Sequence, residues 1–437
     1  MQTDDTRLTQ KRIFIFWLPL GLMWLFMSIE QPGINAVIAR LADSKINLAA
    51  YGITVSLALI IESPIIQMLT AATALGDSTP NYRKLLTFMN IMALSLTLVH
   101  FVLGFTPLYE LLLRDFMNIP GEIIDPSRSS FRIMLPWTAA IGYRRLYQGL
   151  LIRHGRTREI SYIMFIRLGL TLGTLALLAR FTDMRGADLG ALSIITGVTG
   201  GGISAYVFAR PSIRELPEKG RESLFTWSYL IHFYYPLLLT SMIDFVARPI
   251  LNYGIARSAY PVESLAVWPV VLSVMFLFRA IAISFQEVVV ALLKEAGDLR
   301  AIRTFAHRMA GILGLLFLLL AAGPVRNLWY RYVAGLQGEL LGFTSLPTLI
   351  VSVVPVVGAF LSYYRGVLVY ANQTRYIAQA VFFNTAILTL MVIVLPRILS
   401  LSGVLVAALT FSLCQFFEVF YLWYRARRAV RTFSAVA

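Results

Sequence analysis

The sequence predicts an all-α membrane protein with twelve transmembrane helices in two six-helix lobes, related by a parallel pseudo-two-fold repeat. The first observation is composition: 58% of the 437 residues are hydrophobic, only 14% are charged, and the mean hydropathy is +0.71. The second is a series of apolar segments, each long enough for the roughly 20 residues that a crossing needs. The third is an internal duplication. Soluble domains are about one quarter charged, so an ordinary soluble enzyme is excluded.

Twelve apolar segments are predicted to span the membrane. Their approximate bounds are residues 13–40, 49–75, 85–106, 131–152, 161–181, 188–209, 225–250, 262–293, 305–322, 346–370, 375–396 and 402–424. The connections on the side of both termini carry the excess of Lys and Arg, which marks the cytoplasmic face. We therefore expect an integral protein of the plasma (inner) membrane, in contact with lipid and with both termini cytoplasmic. The net charge of +15 then reflects topology, and no nucleic-acid partner is expected.

The duplication appears when the chain is shifted by 217 residues. Segment 16–40 then matches 233–257 at nine of 25 positions, and segment 147–160 matches 364–377 at six of 14. Shared composition cannot keep one ungapped offset over such a distance, so the repeat is real.

The repeat predicts the organisation of the chain into an N-lobe at 1–209, a cytoplasmic linker at 210–224 and a C-lobe at 225–437. Each half has six spans, so both copies enter the membrane in the same orientation. Parallel repeats of this kind are typical of transporters that hold substrate between two halves. The sequence contains no phosphate-binding G-x-x-x-x-G-K-[ST] motif, which disfavours an ATP-driven pump.

Charged side chains near the middle of a span are candidate site residues, because a charge there is costly without a partner or a function. Glu62 and Arg279 occupy equivalent positions of the two halves. We expect them to face each other as a static or gating ion pair, or to give a cavity its charge. On the seventh span, Asp244, Arg248 and Asn252 recur every four residues as one polar stripe. Asp244 and Arg248 either neutralise each other or leave Arg248 to bind an anion.

The equivalent stripe on the first span holds Gln31 and Asn35, beside Glu30. The predicted substrate-binding residues are therefore Gln31, Asn35, Arg248, Asn252 and Arg279, and the predicted coupling or ion-pair residues are Glu30, Glu62 and Asp244. Three further arginines, predicted either to line a cytoplasmic vestibule or to extend to the membrane interface, are Arg144, Arg145 and Arg365. We expect no catalytic residues, no metal and no cofactor, because the four histidines are scattered and Cys414 is the single cysteine.

Several short motifs carry a family resemblance. They are Pro19-Leu20-Gly21, Glu30-Gln31 with Asn35, "LAAYGITVSL" at 48–57, "RPILN" at 248–252 and "ESLAV" at 263–267. In these motifs the chain resembles the progressive ankylosis protein family, as a bacterial-type homologue. That family lies within the multidrug/oligosaccharidyl-lipid/polysaccharide flippase superfamily, which includes the multidrug and toxic compound extrusion (MATE) transporters. The resemblance implies a MATE-like fold and export of pyrophosphate, citrate or nucleotides.

The resemblance also shows a departure at Asn35. Many MATE transporters bind the coupling ion at a first-span aspartate, and an amide in that place cannot titrate. Glu30, one turn away, could replace it. An arginine-bearing cavity also repels the organic cations that MATE transporters export.

We therefore expect a secondary transporter or exporter of small organic or phosphorylated anions that works by alternating access. It is expected to act as a monomer, with H+ or Na+ as a possible coupling ion. The alternatives are a MATE-type cation/drug antiporter, a flippase for a lipid-linked saccharide, and an intramembrane enzyme. For the enzyme, the sequence supplies no catalytic set.

Overall fold

The structure is a computed structural model that describes residues 8–218, 226–296, 299–371 and 373–434. Within these ranges the chain is helical, and the only β-type pairing is an isolated bridge between Ala259 and Ser402. The predicted all-α class is confirmed. Helices form because a backbone in hydrocarbon must satisfy its N–H and C=O groups within its own segment.

The helices of the first half are followed in chain order. They are α1 (Gln10–Ser28), α2 (Glu30–Ile38), α3 (Ser44–Ile66), α4 (Met68–Leu75), α5 (Thr79–Phe105), α6 (Leu108–Glu110), a π-helical segment (Leu111–Phe116), α7 (Gly121–Ile133), α8 (Trp137–Arg153), α9 (Thr157–Phe181) and α10 (Gly186–Arg214). The helices of the second half are α11 (Trp227–Ala256), α12 (Pro261–Ile283), α13 (Phe285–Ala296), α14 (Leu299–Ala321), α15 (Gly323–Leu328), a second π-helical segment (Trp329–Val333), α16 (Glu339–Gly342), α17 (Ser345–Val351), α18 (Val354–Tyr370), α19 (Arg375–Ile398) and α20 (Gly403–Ser434).

The helix bounds recur at the same offset of 217 residues that aligns the sequence with itself. When 217 is added to the residue numbers, the bounds of α3 become those of α12, and the bounds of α8 become those of α18. The first residue of α10 likewise becomes the first residue of α20. Backbone geometry recurs too. The residues before α3 and α12, Asp43 and Tyr260, are equivalent and both left-handed, with φ of 50° and 54°. A non-glycine residue in this region is uncommon, so two at equivalent positions reflect one duplicated turn.

Eleven stretches of the described residues are long and apolar enough to cross a membrane, and the chain is therefore an integral membrane protein. The stretches are Gln10–Ile38, Ser44–Leu75, Thr79–Phe105, Arg158–Phe181, Gly186–Arg214, Trp227–Ala256, Pro261–Leu293, Leu299–Ala321, Glu339–Tyr370, Arg375–Ile398 and Gly403–Val430. The fourth predicted span, 131–152, is the exception. There the structure has the 17-residue helix α8, which carries Arg144, Arg145 and Arg153. A twelfth span remains a prediction.

The first span is broken where its proline lies. Helix α1 ends at Ser28 and α2 begins at Glu30. Pro32 cannot donate a backbone hydrogen bond to the preceding turn, which accounts for a break just before it. The equivalent Pro249 does not interrupt its helix, because α11 continues from Trp227 to Ala256. The two first spans, predicted to be alike, differ in this respect.

The chain divides into two compact units. The first unit contains Gly33–Ala256 and Pro261–Ala266, and the second contains Met1–Pro32, Arg257–Tyr260 and Val267–Ala437. In the first unit, α8, α9 and α10 pack together and α11 packs along α3. In the second unit, α18 packs against α13, α14 and α20. Static packing does not test which helices move together, so the lobes at 1–209 and 225–437 stay predictions.

Candidate functional site

Four arginine side chains lie within electrostatic range of one carboxylate in the first unit. The carboxylate belongs to Glu62 on α3, and all four guanidinium groups interact with it. The arginines are Arg144 and Arg145 on α8, Arg167 on α9 and Arg248 on α11. We call these five residues the Glu62 cluster. It gathers charge from four helices that are distant in the sequence.

The carboxylate of the Glu62 cluster and one of its arginines are buried inside the first unit, and the other three arginines are half-buried. The side chains of Glu62 and Arg144 are 3% and 2% exposed, and Arg144 is among the largest fully buried side chains of the described residues. Gly201 on α10 provides the space. A Cβ atom there would lie 3.4 Å from Cδ of Arg144 and 3.4 Å from Cβ of Arg167. A larger side chain at this position would therefore compete with the two arginine stems.

Helix α11 reaches the cluster because it is hydrogen-bonded along α3. The amide of Asn252 donates to the hydroxyl of Ser56 at 2.9 Å, and the hydroxyl of Tyr234 donates to the carbonyl of Pro64 at 2.7 Å. These two bonds lie on either side of Arg248 in the sequence of α11. They hold the second-half helix α11 against the first-half helix α3, and so bring Arg248 to the cluster.

Arginines outnumber carboxylates in the cluster. Four guanidinium groups interact with the one carboxylate of Glu62. Among the described residues, the buried atoms that have no hydrogen-bond partner include Nε of Arg145 and, one turn along α8, Nε2 of Gln148. Buried charges are normally compensated by an opposite charge and hydrogen bonds. This arrangement can therefore receive an anion with several oxygen atoms.

The second half has a neutral arrangement at the same place. On α18, α19 and α20, the Arg365 guanidinium pairs with one oxygen of Glu418, and Asn384 donates to the other. By the repeat offset, the first-half equivalents of these three residues are Gln148, Arg167 and Gly201. Glu418 is 1% exposed, so its charge is compensated inside the protein. At these positions of the second half, one arginine thus faces one carboxylate, whereas four arginines, including Arg248 of α11, interact with Glu62.

The structure gathers some of the predicted residues and leaves others elsewhere. Glu30, Gln31 and Asn35 lie on α2, where Glu30 and Asn35 are buried and Gln31 is half-buried. The backbone of Asp244 belongs to α11, but its side chain lies outside the described residues. The predicted neutralisation of Arg248 by Asp244 thus stays a prediction.

Arg279 lies in the second unit and Glu62 in the first. The guanidinium of Arg279 lies 5.8 Å from the ring centroid of Phe411 on α20. The predicted pairing of Glu62 with Arg279 stays a prediction. Of the three predicted vestibule arginines, the first two belong to the Glu62 cluster and the third forms the ion pair with Glu418.

The sequence analysis did not identify Arg167, Glu418 or Gly201 as site residues. The signal was present in the repeat itself, because the first two are equivalent to an asparagine and a glycine in the other half. Comparing charges between all equivalent positions would have identified the asymmetry. No group of three or more His, Cys, Asp or Glu side chains that could hold a metal occurs in the described part of the chain.

No protein-family model and no curated protein matches this sequence. Its fold, however, resembles solved transporter structures over nearly its whole length. A multidrug resistance MATE family transporter of the MOP superfamily, in an inward-facing conformation, has a TM-score of 0.67 at 14% identity, with 96% of this chain and 99% of that chain covered. The lipid II flippase MurJ, in an inward closed conformation, has a TM-score of 0.69 at 12% identity, with 94% and 87% covered.

A third similar structure is a MOP superfamily transporter from Pyrococcus furiosus, described as having a binding pocket of reversed polarity. It has a TM-score of 0.61 at 14% identity, with 98% of this chain and 99% of that chain covered. Identities this low establish the fold alone. The chain therefore has the fold that is seen in these MATE and MurJ transporter structures.

Proposed function

We propose that this protein is a secondary transporter or exporter, rather than an enzyme, that moves small organic or phosphorylated anions across the membrane. The anions are of the citrate, pyrophosphate or nucleotide class. The observation that carries the proposal is the Glu62 cluster, in which one buried and three half-buried arginines interact with one carboxylate. A guanidinium group binds carboxylate or phosphate through two parallel hydrogen bonds, so several of them favour a multiply charged anion.

The same cluster argues against a MATE-type cation antiporter. An organic cation entering the first unit would meet four guanidinium groups that interact with one carboxylate, and like charges repel strongly where little water screens them. The reversed polarity described for the Pyrococcus furiosus transporter offers a parallel within the same fold. The progressive ankylosis family, which the sequence resembles, fits an anionic substrate.

The proposed mechanism is alternating access of two lobes related by the parallel repeat, residues 1–209 and 225–437. In this mechanism the anion is held by the arginines of the Glu62 cluster. The further residues that we propose to orient the substrate are Gln31, Asn35, Asn252 and Arg279. Glu30 and Asp244 are proposed coupling residues for H+ or Na+. The protein is proposed to act as a monomer in the inner membrane with both termini in the cytoplasm.

A flippase for a lipid-linked saccharide phosphate is the second candidate. The structural likeness to the lipid II flippase MurJ favours it, and a lipid phosphate would also bind to buried arginines. The two candidates differ in the substrate's tail. A flippase moves the phosphate only when it carries a lipid, whereas the proposed exporter moves water-soluble anions.

The test is efflux from proteoliposomes loaded in parallel with citrate, pyrophosphate, ATP and an organic cation. We expect efflux of at least one anion and none of the cation. Replacing one cluster arginine, as in Arg145→Gln or Arg167→Gln, removes a charged hydrogen bond of about 1.5–3 kcal/mol. The apparent affinity for the anion should then fall by roughly 10- to 150-fold.

Arg180→Gln is the matched control. Arg180 lies on α9, the helix of Arg167, but is exposed near its far end, so its loss should leave efflux unchanged. Cation efflux that survives the cluster substitutions would contradict the proposal and favour the antiporter. Transport restricted to lipid-linked phosphates would favour the flippase.

A further inference from the structure

The last helix of the chain is longer than a membrane crossing. Helix α20 has 32 residues, which is roughly 48 Å at 1.5 Å per residue, against a hydrocarbon core of about 30 Å. Its final turns therefore extend beyond the core into the headgroup region. They are strongly basic, because no Asp or Glu follows Glu418 and four arginines fall between 425 and 431.

Three arginines of these turns lie over aromatic rings. Carbon Cζ of Arg425 lies 4.3 Å from the ring centroid of Tyr376, at the start of α19. Within α20, the guanidinium of Arg427 lies 4.4 Å from the Trp423 ring. That of Arg428 lies 4.5 Å from the Tyr424 ring. A fourth arginine, at the first position of α19, stacks on the same Tyr376 ring at 4.8 Å. We call Arg375, Arg425, Arg427 and Arg428 the C-terminal arginine patch.

The patch is suited to phosphate. A cation–π contact does not use the N–H groups of the guanidinium. Arg375 and Arg425 each donate one hydrogen bond to a tyrosine hydroxyl, and a guanidinium has five N–H donors, so further ones can bind phosphate oxygens. Arg375, Arg427 and Arg428 are exposed. Tyr and Trp rings are enriched at headgroup depth. The patch thus presents fixed donors at the level where lipid phosphates lie.

The first half provides a weaker version of this surface. At its equivalent helix end, Arg210 stacks on Tyr206 at 5.3 Å, matching Arg427 on Trp423. The equivalents of Arg425 and Arg428, however, are a phenylalanine and a proline, and the equivalent of Tyr376 is an acidic residue, Glu159. The concentration of stacked arginines is therefore specific to the end of the second half.

We propose that the C-terminal arginine patch is a docking surface for the headgroups of anionic phospholipids in the leaflet next to the C-terminus. Charge complementarity commits the surface to this occupant, because anionic leaflets attract basic segments beside a transmembrane helix. The proposal is independent of the substrate proposed above. The two can fail separately, since one concerns the Glu62 cluster and the other the end of α20.

The experiment uses the full-length protein in nanodiscs made with phosphatidylcholine and phosphatidylglycerol at 4:1. The phosphatidylglycerol that stays with the protein after extraction into detergent is measured by lipid mass analysis. We expect enrichment over the 4:1 input for the wild type. In the triple variant Arg425→Gln, Arg427→Gln, Arg428→Gln it should fall at least fivefold, because a single basic residue near the surface already contributes about that factor. Retention of the wild-type elution volume shows that the variant is folded.

The control is Arg210→Gln, which removes the stacked arginine of the first half and should leave the enrichment intact. A triple Arg→Lys variant keeps the charge but not the planar stack, and should retain only part of the enrichment. Equal enrichment in the wild type and the Gln variant would overturn the proposal. Displacement of the bound phosphatidylglycerol by millimolar inorganic phosphate would also overturn it, because the patch would then bind phosphate without a lipid.

Discussion

Replacing Gly201 by glutamate should weaken anion binding, because the substitution adds a second carboxylate to the Glu62 cluster. The substitution copies the second half, where the equivalent residue Glu418 pairs with Arg365. The geometry permits it, because a Cβ atom at position 201 lies at an ordinary contact distance of 3.4 Å from both Arg144 and Arg167. A glutamate carboxylate reaches far enough beyond its Cβ to contact either guanidinium.

The size of the effect follows from Coulomb's law. A carboxylate about 4 Å from a guanidinium is attracted by about 4 kcal/mol at an effective dielectric constant of 20. Desolvation of the new carboxylate cancels part of this gain. A bound anion then meets one positive charge fewer and competes with a permanent carboxylate. We expect a loss of about 1.5–3 kcal/mol in anion binding, which is roughly 10- to 150-fold in Kd.

Two assays are used. The purified protein is titrated with the anion in a calorimeter, and efflux is measured from proteoliposomes. Gly201→Gln is the matched control, because glutamine has nearly the same size and no charge. If the glutamate variant binds the transported anion as tightly as the wild type does, the Glu62 cluster is not the binding site. If both variants lose binding equally, crowding rather than charge is responsible.

Three further perturbations test the charge and packing of the first unit. Glu62→Gln removes the carboxylate that competes with substrate, so anion affinity should rise roughly tenfold in the same titration; unchanged affinity would contradict the competition. Lys45 and Glu263 form an ion pair of 2.8 Å at the starts of α3 and α12, so reversing either charge should lower the thermal unfolding midpoint. The double reversal should restore the midpoint, and additive losses would show that the pair contributes nothing. Gly149→Ala would place a Cβ atom 2.6 Å from the carbonyl oxygen of Leu69, which should cost about 1–3 kcal/mol of stability through overpacking. In the control Gly169→Ala the new Cβ has no neighbour within 4 Å, so no such loss is expected.

Much of the helical framework could be predicted from the sequence because it depends on local and repeated features. The offset of 217 residues found in the sequence recurs in the helix bounds, and even in the left-handed turns at Asp43 and Tyr260. The fourth span was the hardest to read. Its arginines lower its hydropathy, although one of them, Arg144, is buried, so composition alone does not describe it.

The site was only partly predictable because it depends on how helices pack. Position in the repeat led to a pairing of Glu62 with Arg279, since equivalent residues near a two-fold axis can face each other. Within the first unit, Glu62 interacts with arginines of three other helices, and its pairing with Arg279 stays a prediction. Arg248 belongs among them because α11 packs along α3 through hydrogen bonds such as Asn252 to Ser56. No sequence spacing encodes that contact.

The comparison of the two halves supports the proposed role of the Glu62 cluster in anion binding. Placing a charge inside a protein is costly, and an uncharged or paired arrangement of the same helices would be at least as stable. The second half packs its equivalent helices around Arg365 and Glu418, with one arginine against one carboxylate. Packing of this architecture therefore does not require four arginines that interact with a single carboxylate, as they do at Glu62. A site in which arginines outnumber carboxylates is what we propose for the binding of a multiply charged anion.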